Sequence, residues 1–90
     1  MEKLLIEATK SSPFIRFDHA EHTLEIRGES YPENAAKAYA PMFAWLEEYL
    51  QGLQDDVVRV DLEITYFNSS SSKILMNFFD MLEDAAQAGK

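Results

Sequence analysis

Hydroxyl groups are the densest chemistry in this sequence. Ser69, Ser70, Ser71 and Ser72 stand in an unbroken row after Tyr66-Phe67-Asn68, and Lys73 follows them. A serine at a helix start accepts hydrogen bonds from the unpaired N–H groups of the first turn, which is its ordinary role. One cap needs one serine, so the row has hydroxyls to spare. A spare hydroxyl here is also a good phosphorylation acceptor. Its product dianion would face the positive end of the helix, with Lys73 within reach. It would also add charge of about −1.5 to −2 to the surface, enough to expel a bound partner. Capping and switching are compatible.

Other constellations are weaker. His19-Ala20-Glu21-His22 lacks the one-turn histidine spacing of a metalloprotease helix, sits in a turn context and has no third ligand nearby, so it reads as surface turn histidines. Gly28, Gly52 and Gly89 are too scattered for a phosphate-cradling loop. No serine has G-x-S-x-G surroundings, which argues against a hydrolase. Glu47-Glu48 and Asp55-Asp56 read as solvated helix-end charges; general acid–base work would need one carboxyl buried with a raised pKa. With no cysteine there is no disulfide framework and no thiolate site. The expectation is a protein that is not an enzyme, with no catalytic residues, metal or cofactor.

Ninety residues at 47% hydrophobic content suit one small globular domain over 1–90. The net charge of −8 argues against a phosphate-backbone ligand and against anionic lipid. No apolar run approaches a membrane span and no signal peptide is visible, so the expected location is the cytoplasm. The acidity is uneven. Residues 1–45 carry five basic and seven acidic groups, whereas residues 46–90 carry three and nine. The second half therefore reads as a solvated surface or as a face that steers a basic partner.

The elements that must hold the serine row follow from periodicity. Strands are predicted over Lys3–Thr9, Phe14–Asp18, Thr23–Arg27 and Val57–Phe67, with Gly28 ending the third. In the last strand Val58, Val60, Leu62, Ile64 and Tyr66 line one face, and Arg59, Asp61, Glu63 and Thr65 the other. Such alternation means a sheet covered on one face only. Pro32-Glu33 after Ser30 reads as a helix start. The helix carries Ala38, Met42, Trp45, Leu46, Tyr49 and Leu53 inward and is kinked or split at Pro41. A second helix from about Ser71 to Ala88 turns Ile74, Leu75, Phe78, Phe79, Leu82 and Ala86 inward. The order β-β-β-α-β-α gives a two-layer α/β fold with a mixed sheet, helices on one face, and the last strand parallel to its neighbour.

Ser12-Pro13, Gly28-Glu29-Ser30-Tyr31-Pro32-Glu33-Asn34, Tyr39-Ala40-Pro41, Trp45-Leu46 and the stretch from Tyr66 to Lys73 together resemble the SiaC-type regulatory phosphoproteins of bacteria, whose fold is similar to STAS domains. The resemblance implies partner switching. A dedicated kinase phosphorylates the hydroxyl directly after Tyr-Phe-Asn, here Ser69 with Ser70 as rival, and a metal-dependent phosphatase reverses it. The unphosphorylated form binds and activates a diguanylate cyclase, controlling cyclic-di-GMP and biofilm formation; phosphorylation turns binding off. An anti-sigma-factor partner, as for other STAS-like antagonists, is the alternative. The implied partner-binding residues are Tyr31, Pro32, Glu33, Asn34, Tyr66, Phe67, Asn68, Ser69, Ser70 and Lys73. Of these, Tyr31 stands evenly between surface and core, while Trp45, Phe78 and Phe79 read as core. The resemblance also implies a further strand after the second helix, so a final strand is expected to be missing here.

Overall fold

Alternating apolar residues find one another across the strands. The computed structural model describes residues 2–53 and 57–88; the expectations for Asp55, Asp56 and Gly89 fall outside them. Strands β1 (Leu4–Ile6), β2 (Phe14–Asp18), β3 (Thr23–Ser30) and β4 (Arg59–Phe67) form one sheet in the order β1-β2-β3-β4. The first two pairings are antiparallel and β3–β4 is parallel. Phe17 lies opposite Leu4 and Leu24, and Leu24 lies opposite Val60; Ile15, Ile26 and Leu62 repeat the arrangement one step along. Cross-strand partners share a face, so these residues make one apolar surface.

Helices α1 (Ala35–Gly52) and α2 (Ser69–Gln87) cover that surface. Phe17, Leu24, Leu46 and Phe78 are wholly buried between the layers. The Phe17 ring lies 5.4 Å from Trp45 and 6.0 Å from Phe78, joining the sheet to both helices. Trp45 also stacks on Tyr49, and its indole N–H donates to the Glu2 carbonyl at 2.6 Å.

Several boundaries differ from expectation. Pro32-Glu33 precedes the helix rather than starting it; Asn34 caps α1, its side chain accepting from the Lys37 amide at 3.1 Å. The helix then runs unbroken through Pro41, which sits exposed on its outer side where the lost hydrogen bond is replaceable by water. β3 continues past Gly28 to Ser30, because Gly28 adopts φ 120°, open to glycine and not to other residues. α2 turns Ala85 inward and leaves Phe79 and Ala86 exposed, so Phe79 is not core. Helical spacing places Phe79 a hundred degrees from Phe78, off the buried stripe.

The other sheet face is an ionic lattice. Arg16 lies directly opposite Glu25 and bonds it at 2.9 Å; Arg27 grips the same carboxylate and reaches Glu63 at 3.9 Å. Asp18 accepts from the Ala20 and Glu21 amides, closing the β2–β3 turn, and pairs with Lys3 and Arg16. The Arg16 hydrogen bond, against a burial that works the other way, holds the Glu25 carboxyl below the usual carboxylate range, with Arg27 assisting. Burial raises Asp18, but the two amides, Lys3 and Arg16 outweigh it and its pKa is also lowered.

Two predictions follow from packing and from charge. Leu46→Ala removes a wholly buried side chain and should cost about 2–5 kcal/mol in urea unfolding. A depressed carboxylate pKa stabilises the fold fully above the unfolded value of about 4, and that contribution is lost as pH falls through the folded value. The urea midpoint should therefore fall on acidification below about pH 5, and Glu25→Gln should shallow that fall.

Candidate functional site

Parallel strands end on the same side of a sheet, and loops there are the usual place for a site. β3 ends with Ser30 opposite Phe67 and Glu29 opposite Tyr66. The stretches around Ser30-Tyr31 and Tyr66-Phe67-Asn68 therefore meet. The register shifts between Gly28 and Glu29: Gly28 pairs with Ile64, yet Glu29 pairs with Tyr66, leaving Thr65 as the extra residue of a bulge. Tyr66 thus leaves the Ile64 face on which simple alternation placed it. It is 54% exposed and meets the Tyr31 ring edge-on at 5.8 Å.

The cap of α2 is also not what the serine row suggests. Asn68 is the N-cap, and its side chain accepts from the Ser71 amide at 3.0 Å. Its own amide donates to the Ser30 carbonyl at 3.0 Å, extending the β3–β4 ladder by one bond. Asparagine leaves β4 in an extended conformation that suits a cap, and its carbonyl reaches the third amide. All four serines consequently lie inside the first turn, with different fates. Ser69 and Ser70 are exposed, Ser72 is half-buried, and Ser71 is 1% exposed.

Ser71 is held by a buried chain of hydroxyls. Its Oγ lies 2.7 Å from Ser30 Oγ, which also bonds the Tyr39 hydroxyl. Burial raises the Tyr39 pKa, only partly offset by the Ser30 bond, so the phenol keeps its proton. The chain fastens together the end of β3, the second turn of α1 and the first turn of α2. Tyr39 had no assigned role in the sequence, although Ala35, Tyr39, Met42, Leu46 and Tyr49 recur at helical spacing and are all buried.

The expected partner-binding residues divide. Tyr31 is half-buried; Glu33, Tyr66, Phe67, Ser69, Ser70 and Lys73 are exposed. Lys73 lies one helical turn from Ser69 on the same side. Pro32 is buried, and Asn34 and Asn68 are occupied as caps, so these three have structural duties at the site. The histidines lie apart from it: His22, at φ 51° in the β2–β3 turn, places Nδ1 2.6 Å from the Tyr49 hydroxyl and is half-buried rather than a plain surface group.

The molecule is thus a small two-layer α/β protein with hydroxyls gathered where a helix leaves its sheet. A family profile described as "SiaC family regulatory phosphoprotein" matches residues 6–90, and the chain belongs to that family. It is 37% identical over 90 residues to an uncharacterized protein of Pseudomonas aeruginosa strain UCBPP-PA14, spanning 100% of this chain and 71% of that relative. The crystal structure of apo-SiaC from Pseudomonas aeruginosa is similar at TM-score 0.92 and 36% identity, covering 99% of this chain and 73% of that one. A second similar structure, at TM-score 0.88 and 36% identity, covers 96% and 70%; it is the diguanylate cyclase SiaD in complex with its activator SiaC from Pseudomonas aeruginosa. The mixed-sheet fold with helices on one face agrees with these structures.

The central place of Ser30 in the hydroxyl chain is testable. Ser71→Ala leaves Ser30 and Tyr39 paired and should cost about 1 kcal/mol. Ser30→Ala orphans two buried hydroxyls and should cost about 2–4 kcal/mol in urea unfolding.

Proposed function

We propose that this chain is a non-enzymatic phospho-switch whose unphosphorylated form binds and activates a diguanylate cyclase, and which phosphorylation of Ser69 turns off. The observation that carries the reading is its likeness, across nearly its whole length, to SiaC as the activator of SiaD. That likeness favours a cyclase over the anti-sigma-factor alternative. Its family of regulatory phosphoproteins supplies the need for an acceptor.

The chemistry of the loop supports Ser69. It is exposed and stands first in α2, where its own amide and that of Ser70 have no intrahelical acceptor. A phosphate there is favoured by the helix dipole and by Lys73 one turn on. Ser70 shares the exposure, whereas burial shields Ser71 from a kinase. The exposed aromatic pair Tyr66 and Phe67, with Tyr31 beside them, offers a partner apolar contact next to the acceptor. New negative charge at that spot would disrupt such a contact by desolvation cost and repulsion. A dedicated Ser/Thr kinase and a metal-dependent phosphatase complete the cycle, with cyclic-di-GMP output and biofilm formation as its consequence. The cytoplasm is the proposed setting; no helix among the described residues is long and apolar enough to cross a membrane.

The test combines mass mapping with reconstitution. The protein isolated from its own cells should carry one phosphate on Ser69. Ser69→Ala should activate the purified cyclase as the parent does, and Ser69→Asp should weaken binding at least tenfold. A phosphate found only outside residues 69–72, or full activation by Ser69→Asp, would overturn the reading.

A further inference from the structure

The opposite end of the molecule holds a second surface with its own chemistry. α1 and α2 run in the same direction with their C-terminal halves side by side, Phe43 and Glu47 facing the stretch from Asn77 to Asp84 and Leu50 facing Ala85 and Ala88. Two adjoining hollows of about 280 and 360 Å³ open between them, both lined by Glu47, Met81 and Asp84. Leu50 and Ala85 floor one, Phe43 the other, and Asp80 extends the rim. The result is a trough with an apolar bed and carboxylate walls.

Among the described residues, every charged group lining the trough is acidic. Glu47, Asp80 and Asp84 are exposed on the walls, and Glu48 and Glu83, the residues beside Glu47 and Asp84, are exposed as well. Two helix C-termini converge there, each equivalent to about half a negative charge. Neither helix carries a basic residue in its last turn to offset it. The basic residues of these helices, Lys37 and Lys73, lie in their first halves.

We infer that this trough docks a basic amphipathic segment of a partner protein, with apolar residues at helical spacing on one side and Lys or Arg on its flanks. Apolar side chains fill the bed over Met81 and Leu50, and the stems of Lys and Arg lie along it while their heads meet the carboxylate walls. Charge complementarity selects this occupant. A second copy meeting this one through the same face would set one acidic trough against another, and nucleic acid or anionic lipid would bring charge of the same sign. The surface lies at the far end of α2 from Ser69, so docking here is independent of the phosphate switch.

The probe is an 18-residue helical peptide of Leu and Lys, with Leu at i, i+3, i+4 and i+7, titrated into the full chain at physiological salt and followed by amide NMR. Saturable shifts should be confined to residues 43–51 and 77–88. The exposed-site double variant Glu47→Lys/Asp84→Lys, checked for native fold by circular dichroism, should weaken binding at least tenfold. Ser69→Asp should leave it within twofold, so failure of the switch reading and failure of this one are separable. The inference falls if a scrambled peptide or a Leu→Ser peptide binds within twofold of the parent. It falls equally if shifts centre on Asp61 and Glu63, if no saturation is reached at millimolar peptide, or if the same residues shift with protein concentration alone, which would mark a second copy.

Discussion

Because β3 and β4 run parallel, Ser30 and Phe67 finish opposite each other although a whole helix separates them in the chain. That pairing is the constraint from which the site follows. The crossover through α1 forces both strands to point the same way, and the next helix must start where both end. The Asn68 amide adds one more bond to Ser30, so the first turn of α2 is registered to the sheet within a single residue. The hydroxyls of Ser30, Tyr39 and Ser71 then lock that registration from inside. A buried polar chain of this kind contributes little net stability when complete and costs much when broken, which makes it a device for fixing one arrangement.

Charge is sorted by surface. On the open sheet face Lys3, Arg16, Arg27 and Arg59 form ion pairs with Asp18, Glu21, Glu25, Asp61 and Glu63, so that face is near balance. Glu25 stands beside Asp61 across the β3–β4 pairing, a repulsion that the flanking arginines absorb. The helices add a further excess of acid, with Glu47, Glu48, Asp80, Glu83 and Asp84 against Lys37 and Lys73.

The element order and the one-sided sheet were legible because Leu24, Ile26, Val60 and Leu62 alternate cleanly with charged residues, and the parallel last strand because a helix stands between it and β3. What was not legible depended on single backbone events. Gly28 at positive φ and the extra Thr65 move Tyr66 off the core face, and no alternation pattern announces a bulge. Asn68 takes the cap ahead of four serines because it sits at the strand's last extended position, which only the strand's true end reveals. Phe79 follows Phe78 directly and shares its hydrophobicity, but it stands a hundred degrees round the helix and falls off the buried stripe of α2. The hydroxyls at the site were visible as types. Their division into exposed Ser69 and Ser70 and buried Ser71 was a matter of helix phase.

Trp45 is the chain's sole tryptophan, and its surroundings make it more than packing. The indole touches the sheet through Phe17, stacks on Tyr49 of its own helix, and holds the N-terminal segment through the Glu2 carbonyl. One fluorophore thus reads three layers of order at once. Loss of the Glu2 bond changes the polarity at the indole nitrogen, whereas separation of helix from sheet exposes the whole ring to water. Fraying of the first residues and melting of the core therefore both alter the surroundings of this one ring.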